Sequence, residues 1–191
     1  MAPIVIARPD MTRPPERYGA AARLLHWLTV VLIAMQIPVG LIMAYRGNVL
    51  NLWNQVTDFL YSTHKSLGFI LLILVGFRFL VRVTSTSPPP EPGLARWQIR
   101  IAAANHASLY VLLLAVPMLG WLGASLLPAL EVFGVVSLPS ITRADRAASD
   151  SVLTLHRLTA FLLMALIALH VAAAVYHHFI RHDGVLRRML R

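Results

Sequence analysis

The chain has no cysteine among its 191 residues. It therefore carries no disulfide, no cysteine-ligated iron–sulfur cluster and no thioether-linked haem, so any cofactor must be held by coordination and packing. Charge is scarce as well: 13% of residues are charged and 58% are hydrophobic, with a mean hydropathy of +0.68. That balance lies outside the soluble globular class. Acidic residues are the rarer sign, 8 against 17 Lys and Arg, for a formal net charge of +9. The arginines flank hydrophobic runs instead of gathering with aromatics on a polar face, so the reading includes no nucleic-acid partner. Glycine-rich phosphate loops, HExxH metal motifs, internal repeats and a second domain are also missing. Residues 1–17, with Arg8, Arg13 and Arg17 among prolines, lack an apolar core ending in a cleavage site. They read as a polar tail on a single domain, 1–191.

What is present is apolar helix. The stretch from Leu153 to His182 has no charged residue between Leu158 and Leu169, and with its flanks it exceeds the roughly 20 residues that cross a bilayer core. Three more such runs precede it. The predicted spans are about 20–45, 59–83, 99–127 and 153–180, which makes the fold class an all-α, integral-membrane four-helix bundle embedded in lipid. A proline run in TSTSPPPEPG ends the second span, and residues 128–151 form a longer polar loop, suited to a lid. Basic residues set the topology. Arg46, Lys65, Arg143, Arg146 and Arg157 fall outside, and the other twelve of the 17 fall inside. Both termini are then expected in the cytoplasm, with the second and fourth helices running inward. Trp27, Trp53, Trp97 and Trp121 near the span ends suit an aromatic belt.

An ionisable residue inside a span is costly unless it faces the interior with a partner. His156 and His170 are fourteen residues apart, about 21 Å along one helix and within about 40° of the same face. Neutral imidazole is an axial ligand of haem iron, and two depths of imidazole suit two haems. Topology supplies the opposite ligands. His64 begins the second helix at the depth of His156, and His26 begins the first at the depth of His170. The expected pairs are His64 with His156 on the external side and His26 with His170 on the cytoplasmic side. Arg78 follows His64 by the same fourteen residues, at the depth where it would meet a haem propionate; Lys65 and Arg157 directly follow proposed ligands and would meet propionates or headgroups. Gly68 and Gly76 leave room for a macrocycle or for close helix packing. His106 reads as adjacent to the inner pair. His177 is a rival to His170 as ligand and a candidate hydrogen-bond donor to a quinone at the cytoplasmic boundary.

The patterns RLLHW, HKSLG, NHASLY, LHRLTA and LHVAAAVYHHF, spread from Tyr18 to Leu190, resemble the bacterial cytochrome b561 family. The resemblance implies a four-helix inner-membrane protein with two b-type haems that exchanges electrons with ubiquinone, and its ligand motifs fall on His26, His64, His156 and His170. It implies an oxidoreductase moving electrons between ubiquinone and a small periplasmic one-electron donor, with superoxide a candidate. Two other readings stay open: a haem-bearing membrane-anchor subunit of a larger dehydrogenase or hydrogenase, and a haem-free transporter with intramembrane histidines.

Overall fold

A computed structural model describes residues 17–190, so the proposed tail with Arg8 and Arg13 lies outside the described residues. Helix α1 (Ala20–Ala44) widens into a π-helical turn at Tyr45–Val49 and is followed by α2 (Gln55–Thr84) and α3 (Arg96–Leu126). A small antiparallel hairpin, β1 (Glu131–Val132) and β2 (Val136–Ser137), precedes α4 (Arg146–Tyr176). That helix also ends in a π turn, His177–Arg181, before a short α5 (Arg187–Leu190). The four long helices are each long and apolar enough to cross a membrane. With their π turns they run 30 to 36 residues, about 45 Å or more at roughly 1.5 Å per residue, so each crosses a hydrocarbon core of about 30 Å with turns to spare.

Local chemistry sets the boundaries. The side chain of Asn54 caps α2 by accepting from Thr57 N at 3.2 Å, and Asp145 caps α4 by accepting from Ala148 N at 3.0 Å. The Asp145 cap lengthens the fourth helix beyond the predicted start at 153, because the polar segment RAASDS is already helical outside the apolar run. Predicted loop 128–151 is correspondingly shorter and folds as the hairpin. Its tip passes through left-handed backbone at Phe133 (φ 55°) and Gly134 (φ 68°), and β1 packs on α2.

The bundle is two antiparallel helix pairs, α1–α2 and α3–α4, joined mainly through α2 and α3. The buried layer is made by Leu71 and Val75 of α2, Leu109, Leu112, Leu113 and Val116 of α3, and Leu163 of α4. Leu71 and Leu163 each lie seven residues beyond a proposed ligand, His64 and His156, so the apolar layer fills the middle of the bundle. Most other large apolar side chains, among them Leu24, Phe77, Val111 and Phe161, are exposed. In a membrane their surroundings are lipid, and the helices cohere through close packing instead of exclusion from water. The two described termini share one end of the bundle: Tyr18 N donates to Arg188 O at 3.4 Å and Trp27 Nε1 to Met189 O at 3.0 Å. The β-hairpin occupies the opposite end.

Candidate functional site

Histidines face each other at both ends of the bundle. At the hairpin end the rings of His64 (α2) and His156 (α4) have centroids 6.2 Å apart with planes at 86°. At the terminal end His26 (α1) and His170 (α4) stand 6.3 Å apart at 71°. An iron held by two imidazoles has about 2.0 Å to each nitrogen, as other metal–imidazole bonds do, and a ring adds roughly 1.1 Å from nitrogen to centroid. Such a pair therefore spans roughly 6.2 Å, which matches both observed separations. Among the described residues no group of three or more His, Cys, Asp or Glu is arranged around a bare metal ion. Opposed pairs are the arrangement that suits an iron whose other four ligands belong to a macrocycle.

The hairpin-end pair sits in an open cavity of about 170 Å3, lined also by Gly68, Gly120, Trp121 and Lys65. Each ring lies against a glycine of its own helix pair. A Cβ on Gly40 of α1 would come within 2.8 Å of His64 Cε1, and one on Gly120 of α3 within 3.1 Å of His156 Cε1. Beside each glycine is an intrahelical proline, Pro38 or Pro117, which loosens the local helix ladder. His156 Nδ1 lies 2.8 Å from Val116 O. A carbonyl only accepts, so Nδ1 carries the proton and Nε2 is left with its lone pair for a metal.

At the terminal end Arg78 Nη2 donates to His26 Nδ1 at 2.9 Å, while its guanidinium rests 5.3 Å from the Tyr110 ring centroid. A guanidinium has no acceptor, so in this arrangement His26 keeps its proton on Nε2. Ligation through Nε2 requires Nδ1 to hold the proton instead and Arg78 to withdraw. His106 also approaches His170, with centroids 5.3 Å apart.

Several sequence expectations land differently in space. Lys65 does not reach freely into the cavity: its Nζ donates to Ala129 O at 3.0 Å and to Glu131 O, tying α2 to the hairpin. Phe133 N adds a bond to Ser62 Oγ at 3.0 Å. Arg157 is exposed. Gly68 accommodates the Gln36 amide, whose Nε2 would be 3.1 Å from an added Cβ, whereas Gly76 has nothing within 4 Å. The glycines under the rings, Gly40 and Gly120, were not singled out for that role by sequence. His177 does not face His26; its Nδ1 is 2.6 Å from Asp183 Oδ2. Asp183 has no sequence signal of its own, because a left-handed residue, His182 (φ 54°), turns it back onto the helix end.

Comparison with known proteins gives the family. The family model for prokaryotic cytochrome b561 matches residues 17–191. The chain belongs to the prokaryotic cytochrome b561 family. It is 31% identical to cytochrome b561 homolog 2 of Escherichia coli (strain K12) over 182 residues, 95% of each chain. It is 27% identical to cytochrome b561 homolog 1 of the same organism over 180 residues, covering 92% of this chain and 97% of that one. A protein named probable superoxide oxidase CybB, from Yersinia pestis, is 24% identical over 180 residues, 92% of this chain and 96% of that one. As a cytochrome b561 family member with four membrane helices, this is a multi-pass bacterial inner-membrane protein of electron transport, and the family implies b-type haem.

Proposed function

We propose that the chain is a dihaem b-type cytochrome that carries electrons across the inner membrane, from a small one-electron donor at the hairpin end to ubiquinone. In this reading His64 and His156 hold one haem, and His26 and His170 hold the other. The observation that carries it is the pair of matched histidine separations, 6.2 and 6.3 Å, at opposite ends of one bundle. When bound, b-type haem supplies the one-electron redox chemistry. The twelve-to-five distribution of basic residues supports the terminal end as the cytoplasmic one and the hairpin end as the periplasmic one.

The chain's own groups divide the remaining work. Val116 fixes the proton of His156 on Nδ1, and Gly40 and Gly120 give the two rings room. Lys65, a lining residue of the cavity, fastens the start of the hairpin to α2. Arg78 is the cation available to a propionate at the terminal end. Superoxide is the candidate donor, since a relative bears the name probable superoxide oxidase. Two superoxide anions, one quinone and two protons then balance two dioxygen molecules and one quinol. His177, seated with Asp183 at the terminal boundary, is the group offered to a quinone carbonyl, as donor of a hydrogen bond and then a proton.

The test is purification from haem-replete cells. Oxidised and reduced spectra should show low-spin b-type haem, and the lone chain should reduce ubiquinone when given superoxide. A colourless preparation would overturn the haem assignment. A coloured chain that is inactive unless a dehydrogenase co-purifies would overturn self-contained turnover and make it an anchor subunit.

A further inference from the structure

The two helices that carry the terminal-end histidines are not packed partners. Helix α1 packs on α2 and α4 on α3, so His26 and His170 face each other, with centroids 6.3 Å apart, across a seam between the two pairs. The chain beyond α4 crosses that seam. Met189 O accepts from Trp27 Nε1 at 3.0 Å, and Arg188 O from Tyr18 N, just before α1, at 3.4 Å. Trp27 in turn sets its ring edge-on to His26, with centroids 5.3 Å apart and planes at 76°. Met189 also lines a cleft with Arg78 and Tyr110, and Arg78 is the group bonded to His26 Nδ1. Residues 182–190 thus form a strap from the end of α4 to the surroundings of the α1 histidine.

A chain end stays ordered only where it is tied down, and the tie here is Glu91 in the α2–α3 connection. Its Oε1 accepts from Gly184 N at 3.0 Å, and its Oε2 meets Arg188 Nη2 at 2.7 Å as an ion pair without hydrogen-bond geometry. The other arm of that guanidinium donates to Pro89 O at 2.7 Å. The side chains of Glu91 and Arg188 keep only 15% and 21% of their surface exposed, so removing one charge leaves the other poorly solvated. Gly184 permits the approach, since a Cβ there would be 3.1 Å from both carboxylate oxygens. Pro90 and Pro92 flank Glu91, and their fixed φ angles leave the carboxylate little freedom to lose on pairing. Among the described residues the terminal end has two acidic side chains, Glu91 and Asp183, and both hold this segment, Asp183 through His177.

We infer that Glu91 is a positioning residue of the terminal-end pair: it clamps the strap across the seam, and the strap holds Trp27, and through it the His26 ring, in place opposite His170. This rests on the reading of His26 and His170 as haem ligands. Axial-ligand geometry is one of the levers a protein has on a haem, so the clamp acts on one haem and not on the other.

The experiment compares haem-loaded wild type, Glu91→Ala and Glu91→Gln by hydrogen exchange and by the low-spin ferric resonance of each haem, the terminal-end signal being the one that disappears in His26→Ala. Glu91→Ala should speed exchange at residues 184–190 by about tenfold or more and shift the terminal-end signal, with the hairpin-end signal unchanged. Faster exchange with both signals unchanged would overturn the inference, because the strap would then be a tether without effect on His26. Equal shifts of both signals, or unchanged exchange, would overturn it as well. Glu91→Gln keeps an acceptor for Gly184 N and lacks the charge, so it should shift the same signal by less. Should Glu91→Ala yield no loaded protein, Glu91→Gln decides: a shift confined to the terminal-end signal supports the role and an unchanged signal overturns it. His26→Ala tests the ligand reading separately. Retention of both haems in that variant would overturn the ligand assignment whatever Glu91 does.

Discussion

Asp183 Oδ2 stands 2.6 Å from His177 Nδ1, with Arg181 Nε 3.4 Å from the same oxygen. A carboxylate bonded to one ring nitrogen orients the other and stabilises a protonated imidazole. We expect His177→Leu to keep both haems and their spectra yet slow quinone reduction by at least about tenfold, roughly 1.4 kcal/mol of barrier. Asp183→Asn should slow it in the same direction by a smaller factor. Steady-state quinone kinetics on the haem-loaded variants check this, and unchanged rates in His177→Leu would move the quinone elsewhere.

The same pair predicts a pH response. Burial alone would raise the Asp183 carboxyl pKa, but the hydrogen bond from His177, that from Val185 N and the nearby charges outweigh it, and the net direction is downward. A carboxylate depressed on folding contributes stability above its unfolded value of about 3.9, and that contribution is lost as pH falls through the lower folded value. The Asp183 carboxylate's own share of the link should therefore be lost only as pH falls below about 4. Hydrogen exchange at residues 182–186 as a function of pH reads this, and full protection retained well below about pH 4 would contradict it.

Haem content should report the pairing. A pyridine haemochrome assay should give two haems per chain. His26→Ala and His170→Ala should lose one haem, and His64→Ala and His156→Ala the other. Haem loss in His177→Ala with retention in His170→Ala would reassign the terminal-end ligand.

Gly40→Ala would set a methyl 2.8 Å from His64 Cε1, closer than real carbon contacts allow, and the obstacle is a ring pinned between two helices. We expect this variant to lose or displace the hairpin-end haem while the other stays. Gly120→Ala, with 3.1 Å to His156 Cε1, should do the same more mildly. Gly76→Ala, with nothing within 4 Å, serves as the control and should leave both spectra unchanged.

Lys65→Met removes the ammonium that donates to Ala129 O and Glu131 O. Hydrogen bonds from a charged donor to a half-exposed site are worth about 1–2 kcal/mol, so the hairpin should open about tenfold more often. Faster hydrogen exchange at residues 130–138, with haem content retained, is the expected readout. Loss of haem instead would give Lys65 a direct role at the cofactor.

The fold was legible because long apolar runs have few explanations in water and one in lipid. Charge asymmetry offers an orientation for the spans, and imidazoles stood out where ionisable groups are expensive. His156 and His170 announced two levels by their spacing, and the structure brings His64 and His26 opposite them. What stayed hidden was whatever depends on a group common to every residue or on a turn of the chain. The Val116 carbonyl has no sequence signature. Gly40 looks like any small membrane residue until a ring rests on it. Asp183 lies beyond the apolar run and meets His177 only because His182 adopts a left-handed conformation. Lys65 was visible as a cation beside a ligand, but its partners are backbone carbonyls some 64 residues away. The start of α4 was missed because Asp145 extends the helix through residues too polar to read as membrane.

Each facing pair draws one histidine from the first helix pair, His26 or His64, and the other from α4. Neither constellation exists until the final transmembrane segment has left the ribosome and settled in the bilayer. On the proposed ligand assignment, a chain released before α4 carries half-sites at both depths and completes neither, so haem would enter only after the fourth helix has packed.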